Sequence, residues 1–179
     1  MEDPLLDWVR TFAGPYDIYI RIVLSALLGL LIGFDRTHKN KPAGVKTFTF
    51  VAVASTLITI VSIESVGVYS GIHEHTMMDP MRLAAQIVTG LGFLGAGVIM
   101  KSGFEVKGLT SAAMIFFAGG VGVGIGAGFY GIVLFTMLVC FVFTRIGGWI
   151  EKKESMQRHY RGHRRSGGES VREQDKGER

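Results

Sequence analysis

The chain has 179 residues, 48% of them apolar and only 19% charged, with a mean hydropathy of +0.34. That hydropathy excludes a disordered chain, 25 Gly against 4 Pro excludes a collagen-like one, and a single cysteine, Cys140, excludes an internal disulfide and a cysteine-cluster zinc site. The formal net charge of +4 is uneven: residues 1–144 carry nine Lys/Arg and nine Asp/Glu, and residues 145–179 carry ten against six. The chain is thus a neutral, apolar body with a basic tail, and nucleic acid is not an expected partner.

The first 17 residues are acidic, where the n-region of a signal peptide is basic. Asp3-Pro4 has the form of a helix cap and first position, and Leu5, Trp8, Val9 and Phe12 then share one helical face. This predicts a short helix lying in the extracytoplasmic interface of the membrane. Uncharged runs follow at Ile22 to Phe34, Thr47 to Ile63, Leu83 to Met100 and Gly108 to Thr144. A spanning helix needs about 20 predominantly apolar residues. The runs predict an all-α membrane protein, a bundle of five transmembrane helices at about 18–35, 46–63, 82–100, 108–126 and 129–147, with a turn at Gly126 to Gly131 dividing the last run. Arg21 interrupts the first span and is expected to snorkel to the interface beside Tyr16 and Tyr19. The alternation Phe48-Thr49-Phe50-Val51-Ala52-Val53 would also suit a strand, but a lone strand leaves its backbone unpaired in lipid.

Loop charge alternates along these spans. The first segment is acidic, and the next loop holds Arg36, Lys39, Lys41 and Lys46 against Asp35. The loop from Glu64 to Arg82 is acidic, that from Lys101 to Lys107 basic, and the tail basic. The N-terminus is therefore expected outside and the C-terminus in the cytoplasm. The chain divides into an extracytoplasmic segment 1–17, a transmembrane domain 18–147 and a basic cytoplasmic tail 148–179. The tail's block Arg158 to Arg165 contains no acid, which suits anionic membrane lipids.

No Asp, Glu, Lys or Arg falls near the middle of a span, and Walker, GxSxG and HExxH motifs are missing, so the expectation is a non-enzyme without cofactor or metal. His73-Glu74-His75 is a weak candidate for a divalent cation, and His159 and His163 fit a solvated basic face better than a metal site. Small residues recur four apart: Ser25, Gly29 and Gly33; Gly92 and Ala96; Gly120, Gly124 and Gly128; Gly122 and Gly126. Such rows let helix backbones approach closely. Packing within the bundle is the default reading; a docking face for another membrane protein's helix is the functional one, with Gly120, Gly124 and Gly128 as its candidates. Asp35, Arg36, Lys46 and Lys101 gather at the inner helix ends, as ion-paired ends or as a polar anchor for a partner. Arg82 and Gln86 share one face of the third span, where Gln86 can bond across helices.

The stretch Arg82 to Lys101, Arg-Leu-Ala-Ala-Gln-Ile-Val-Thr-Gly-Leu-Gly-Phe-Leu-Gly-Ala-Gly-Val-Ile-Met-Lys, closely resembles the signature of the MgtC/SapB membrane proteins. Gly103 and Val106 to Ala113 continue it; Gly29-Leu-Leu-Ile-Gly33 with Asp35-Arg36, and Ala43-Gly44-Val45-Lys46-Thr47, resemble its first-helix and second-helix motifs. Thr110 and Phe117 stand where the MgtC proteins of virulence carry Asn and Cys, which fits the broader SapB-like group. Several members add an ACT-like C-terminal domain, for which this tail is too short and polar. The resemblance implies a regulator linked to low magnesium and acid stress, acting in some members by restraining the F-type ATP synthase. The candidate functional or partner-contact residues are Asp35, Arg36, Lys46, Arg82, Gln86, Gly92, Gly95, Gly97, Thr110, Gly120, Gly124 and Gly128. The expected setting is the prokaryotic inner membrane, with homo-oligomerisation open; the alternative function is a magnesium or other divalent-cation transporter or channel.

Overall fold

A computed structural model describes residues 16–37, 42–69, 79 and 82–149. Five helices and one hairpin follow in order: α1 (Asp17–Thr37), α2 (Val45–Tyr69), α3 (Arg82–Val98), β1 (Met100–Ser102), β2 (Glu105–Lys107), α4 (Leu109–Gly126) and α5 (Tyr130–Trp149). Among the described residues the fold is all-α apart from the hairpin. Four helices, α1, α2, α4 and α5, are long and apolar enough to cross a membrane. The 17-residue α3 is shorter. At about 1.5 Å per residue it reaches roughly 25 Å, somewhat less than a bilayer's hydrocarbon core.

Charge placement helps to set the ends of α1, where Asp17 lies in the first turn and Arg36 in the last, each opposing the helix dipole. Two boundaries differ from the uncharged runs. α2 continues past Glu64 to Tyr69, because one acid near a helix end adds a charge without breaking the backbone pattern. The third span ends at Val98, and an antiparallel hairpin pairs Met100 with Lys107, Lys101 with Val106 and Ser102 with Glu105. Its turn uses Gly103 at φ +61°, and Gly108, at φ +94°, leads into α4.

α2 lies at the centre, packed against both α1 and α4, and α3 packs mainly on α4. Gly29 and Gly33 let α1 close on α2: a Cβ on Gly29 would stand 2.8 Å from the Phe48 carbonyl oxygen, and one on Gly33 2.5 Å from Val45 Cα. Across α2, a Cβ on Gly126 would stand 2.8 Å from Thr59 Cβ, and one on Gly122 would overlap the Ala52 carbonyl oxygen. Phe48, Ala52, Ile115, Ala118 and Ile125 are buried between these helices. Hydroxyls are buried with them. Thr56 donates to the Gly122 carbonyl at 2.9 Å and Thr59 to the Ser55 carbonyl at 2.8 Å. The glycine rows Gly29–Gly33 and Gly122–Gly126 therefore serve packing within the chain.

The described residues up to Val133 form one packed unit, and those from Leu134 to Trp149 belong to a second. Within the second, Leu134, Phe135, Leu138, Phe141, Phe143 and Trp149 are exposed along α5.

Candidate functional site

Arg21 does not simply reach for the interface. It pairs with Asp17 one turn earlier, and its Nη1 donates to the Gly126 carbonyl at 2.8 Å. The Tyr130 hydroxyl donates to Asp17 Oδ1 at 3.1 Å, and the Arg21 guanidinium lies 5.9 Å from the Tyr130 ring centroid. A helix leaves its last carbonyls without partners and its C-terminus partially negative, so a cation there satisfies both. The cluster ties the start of α1 to the turn after α4. Its first half was readable in sequence as an acid and a base four apart; its second half was not, because Tyr130 is 113 residues from Asp17.

The expected face of Gly120, Gly124 and Gly128 is not one face. A Cβ on Gly120 meets nothing within 4 Å, one on Gly124 would overlap Val133, and one on Gly128, which sits in a turn with φ +83°, would lie 3.6 Å from the Arg21 guanidinium. The physical reason is the position of the helix end. α4 stops at Gly126, so i, i+4 spacing no longer places Gly128 in the row, and the first turn of α5 fills the space beside Gly124.

The open small-residue surface lies on α3 instead. Ala84, Ile87, Leu91 and Gly95 recur at helical spacing and are buried. Gly95 faces Ala112, and Leu91 occupies the space beside Gly119. The opposite side carries Arg82, Gln86, Thr89, Gly90, Phe93 and Gly97, with Gly92 beside them, all exposed. A Cβ added at Gly90, Gly92 or Gly97 meets nothing within 4 Å. Phe93 is 83% exposed amid these small and polar residues. In a spanning segment such a side offers little to lipid tails and much to another helix, which could approach closely and bond to Gln86.

At the other end of α1, Arg36 is buried, while Lys46 at the start of α2 and Lys101 in the hairpin are exposed. Lys107 pairs with Glu105 at 3.3 Å, and Thr110 is exposed in the first turn of α4. Asp35 lies in α1, but its side chain is outside the described residues, as are the proposed interfacial helix, His73-Glu74-His75 and the basic tail. Among the described residues, no group of three or more His, Cys, Asp or Glu is placed to hold a metal ion.

A family model described as the MgtC family matches residues 22–153. The chain belongs to the MgtC family. Protein SapB of Bacillus subtilis (strain 168) is 41% identical over 150 residues, covering 83% of this chain and 62% of SapB. Protein MgtC of Brucella abortus (strain 2308) is 46% identical over 102 residues, covering 57% of this chain and 39% of that protein. YhiD of Escherichia coli (strain K12), named as a proposed magnesium transporter, is 36% identical over 134 residues, 73% of this chain and 62% of YhiD. The chain thus spans less than two thirds of the length of these relatives. No solved structure matches it. MgtC membership and four apolar helices of spanning length together point to a multi-pass membrane protein. The MgtC-family match takes in α3 and the hairpin, which hold the open face and two of the exposed lysines.

Proposed function

We propose that this MgtC-family protein is a non-catalytic regulator of another membrane complex, acting in ion homeostasis under magnesium limitation or acid stress in the cell membrane. It acts by receiving a helix of that complex on the open face of α3, and the F-type ATP synthase is the first complex to test. The observation that carries the reading is the side of α3 formed by Gln86, Gly90, Phe93 and Gly97, with Gly92 flanking it. Elsewhere the small residues of the body are largely spent on contacts within the chain; here the space beside them is empty. Thr110 and Gly120 on α4 are further exposed positions of the same kind.

A photoreactive residue at Phe93, used in native membranes, tests this. The expected result is a crosslink to a membrane protein, lost in a G92L/G97L double variant that accumulates and unfolds like the parent. Unchanged crosslinking in the double variant overturns the docking face. A crosslink to a second copy alone replaces regulation by self-association.

The name of YhiD favours a second reading, transport of a divalent cation. Magnesium flux into liposomes containing only this protein would establish it in place of the regulator.

A further inference from the structure

We propose that Arg36 is a binding site for the phosphate group of a phospholipid or of free phosphate, held by one edge of its guanidinium. Arg36 is 8% exposed, and its Nε and Nη2 atoms are buried without a hydrogen-bond partner among the described residues. These are the two nitrogens whose N–H groups run parallel along one side of the guanidinium, the side-on fork that takes two oxygens of one oxyanion. A buried cationic group with its fork unfilled is costly, and buried polar atoms left without partners call for an explanation.

The position specifies the anion. One turn earlier on α1, the Gly33 site touches Val45 Cα, so Arg36 stands level with the start of α2, where Ala43 is buried. The first turn of α2 contains no acid, Lys46 there is exposed, and a helix N-terminus carries partial positive charge. The outer side of α1 presents Leu27, Leu30, Leu31 and Phe34. Those side chains suit lipid tails up to the turn before Arg36, so the group that lipid brings to the level of Arg36 is a headgroup phosphate. The inference does not depend on the docking face of α3.

Thermal unfolding of the purified full-length protein in detergent micelles tests it, with phosphatidylglycerol, the matching diacylglycerol and inorganic phosphate added separately. Phosphatidylglycerol is expected to raise the unfolding midpoint and diacylglycerol to leave it unchanged. A shift with inorganic phosphate as large as that with phosphatidylglycerol assigns the free ion as the source. R36Q is expected to lose the shift. R36K keeps the charge without the fork, and its affinity for phosphatidylglycerol should fall by on the order of tenfold. It also covers the case in which R36Q fails to fold. Equal shifts from phosphatidylglycerol and diacylglycerol in the parent, an R36Q protein that keeps the parental shift, or an R36K protein with parental affinity each overturn the site. If no phosphate species shifts the parent, the fork serves another group, such as a carboxylate of a partner protein, and the proposal fails.

Discussion

Within eight residues of α4, glycine serves opposite purposes. Gly119, Gly122 and Gly126 are sites where a Cβ would run into Leu91, Ala52 or Thr59, while Gly120 faces open space. Spacing could not separate them, because Gly120 and Gly122 both belong to rows four apart. The difference sets a paired prediction. G122A pushes a methyl group against backbone, which cannot move as a side-chain tip can, and should destabilise by about 1–3 kcal/mol or more. G120A meets nothing and replaces a poor helix former by the best, so it should be neutral or stabilising by up to about 1 kcal/mol. Thermal unfolding in micelles measures both, and equal losses would contradict the packing of α4 on α2. Arg21 teaches the same lesson. Its pairing with Asp17 follows from helical spacing, but its bond to the Gly126 carbonyl, 105 residues away, required the fold.

At the scale of the element, the junction from α3 to α4 is the part least visible in the sequence. The uncharged run continues through Met100, so hydropathy extends the helix where the chain forms a hairpin. Gly108 makes the junction possible. Its φ of +94° suits glycine, and a Cβ there would overlap the carbonyl oxygen of Val98. Gly103, at φ +61° in the hairpin turn, has open space around it. G103A should therefore cost only the left-handed backbone penalty of about 1–2 kcal/mol, whereas G108A adds a steric overlap and should cost more. Unfolding midpoints of the two variants check the order, and a reversed order would contradict the junction. The centre of α2 was legible as a span because a charge-free run is enough to show it. Its final turn beyond Glu64 was not, because counting charges marks where lipid contact ends rather than where a helix ends.

For the whole molecule, the sign of each loop predicts its side of the membrane. The end holding Lys46, Lys101 and Lys107 is expected in the cytoplasm and Asp79 outside. In a background with Cys140 replaced by Ala, a single cysteine at Asp79 should react with an impermeant thiol reagent in intact cells. One at Lys101 should react only after the membrane is opened, and the reverse pattern would invert the topology. Under that expected topology Arg36 falls at the cytoplasmic end.

The sequence by itself determined the class of molecule, the five helices of the described body, the membership of the MgtC family and the residues that recur at packing distances. These depend on local composition and spacing, which are properties of a line of residues. The tertiary structure decided which of those residues are used up and which are left over. The space beside Gly122 and Gly126 is taken by α2, that beside Gly124 by the first turn of α5 and that beside Gly128 by Arg21, whereas Gly92 and Gly97 are open and Nε and Nη2 of Arg36 have no partner among the described residues. The physical reason is that a glycine or an arginine acquires its meaning from the atoms facing it. In this chain those atoms come from elsewhere in sequence, as Thr56 does for Gly122 across 66 residues.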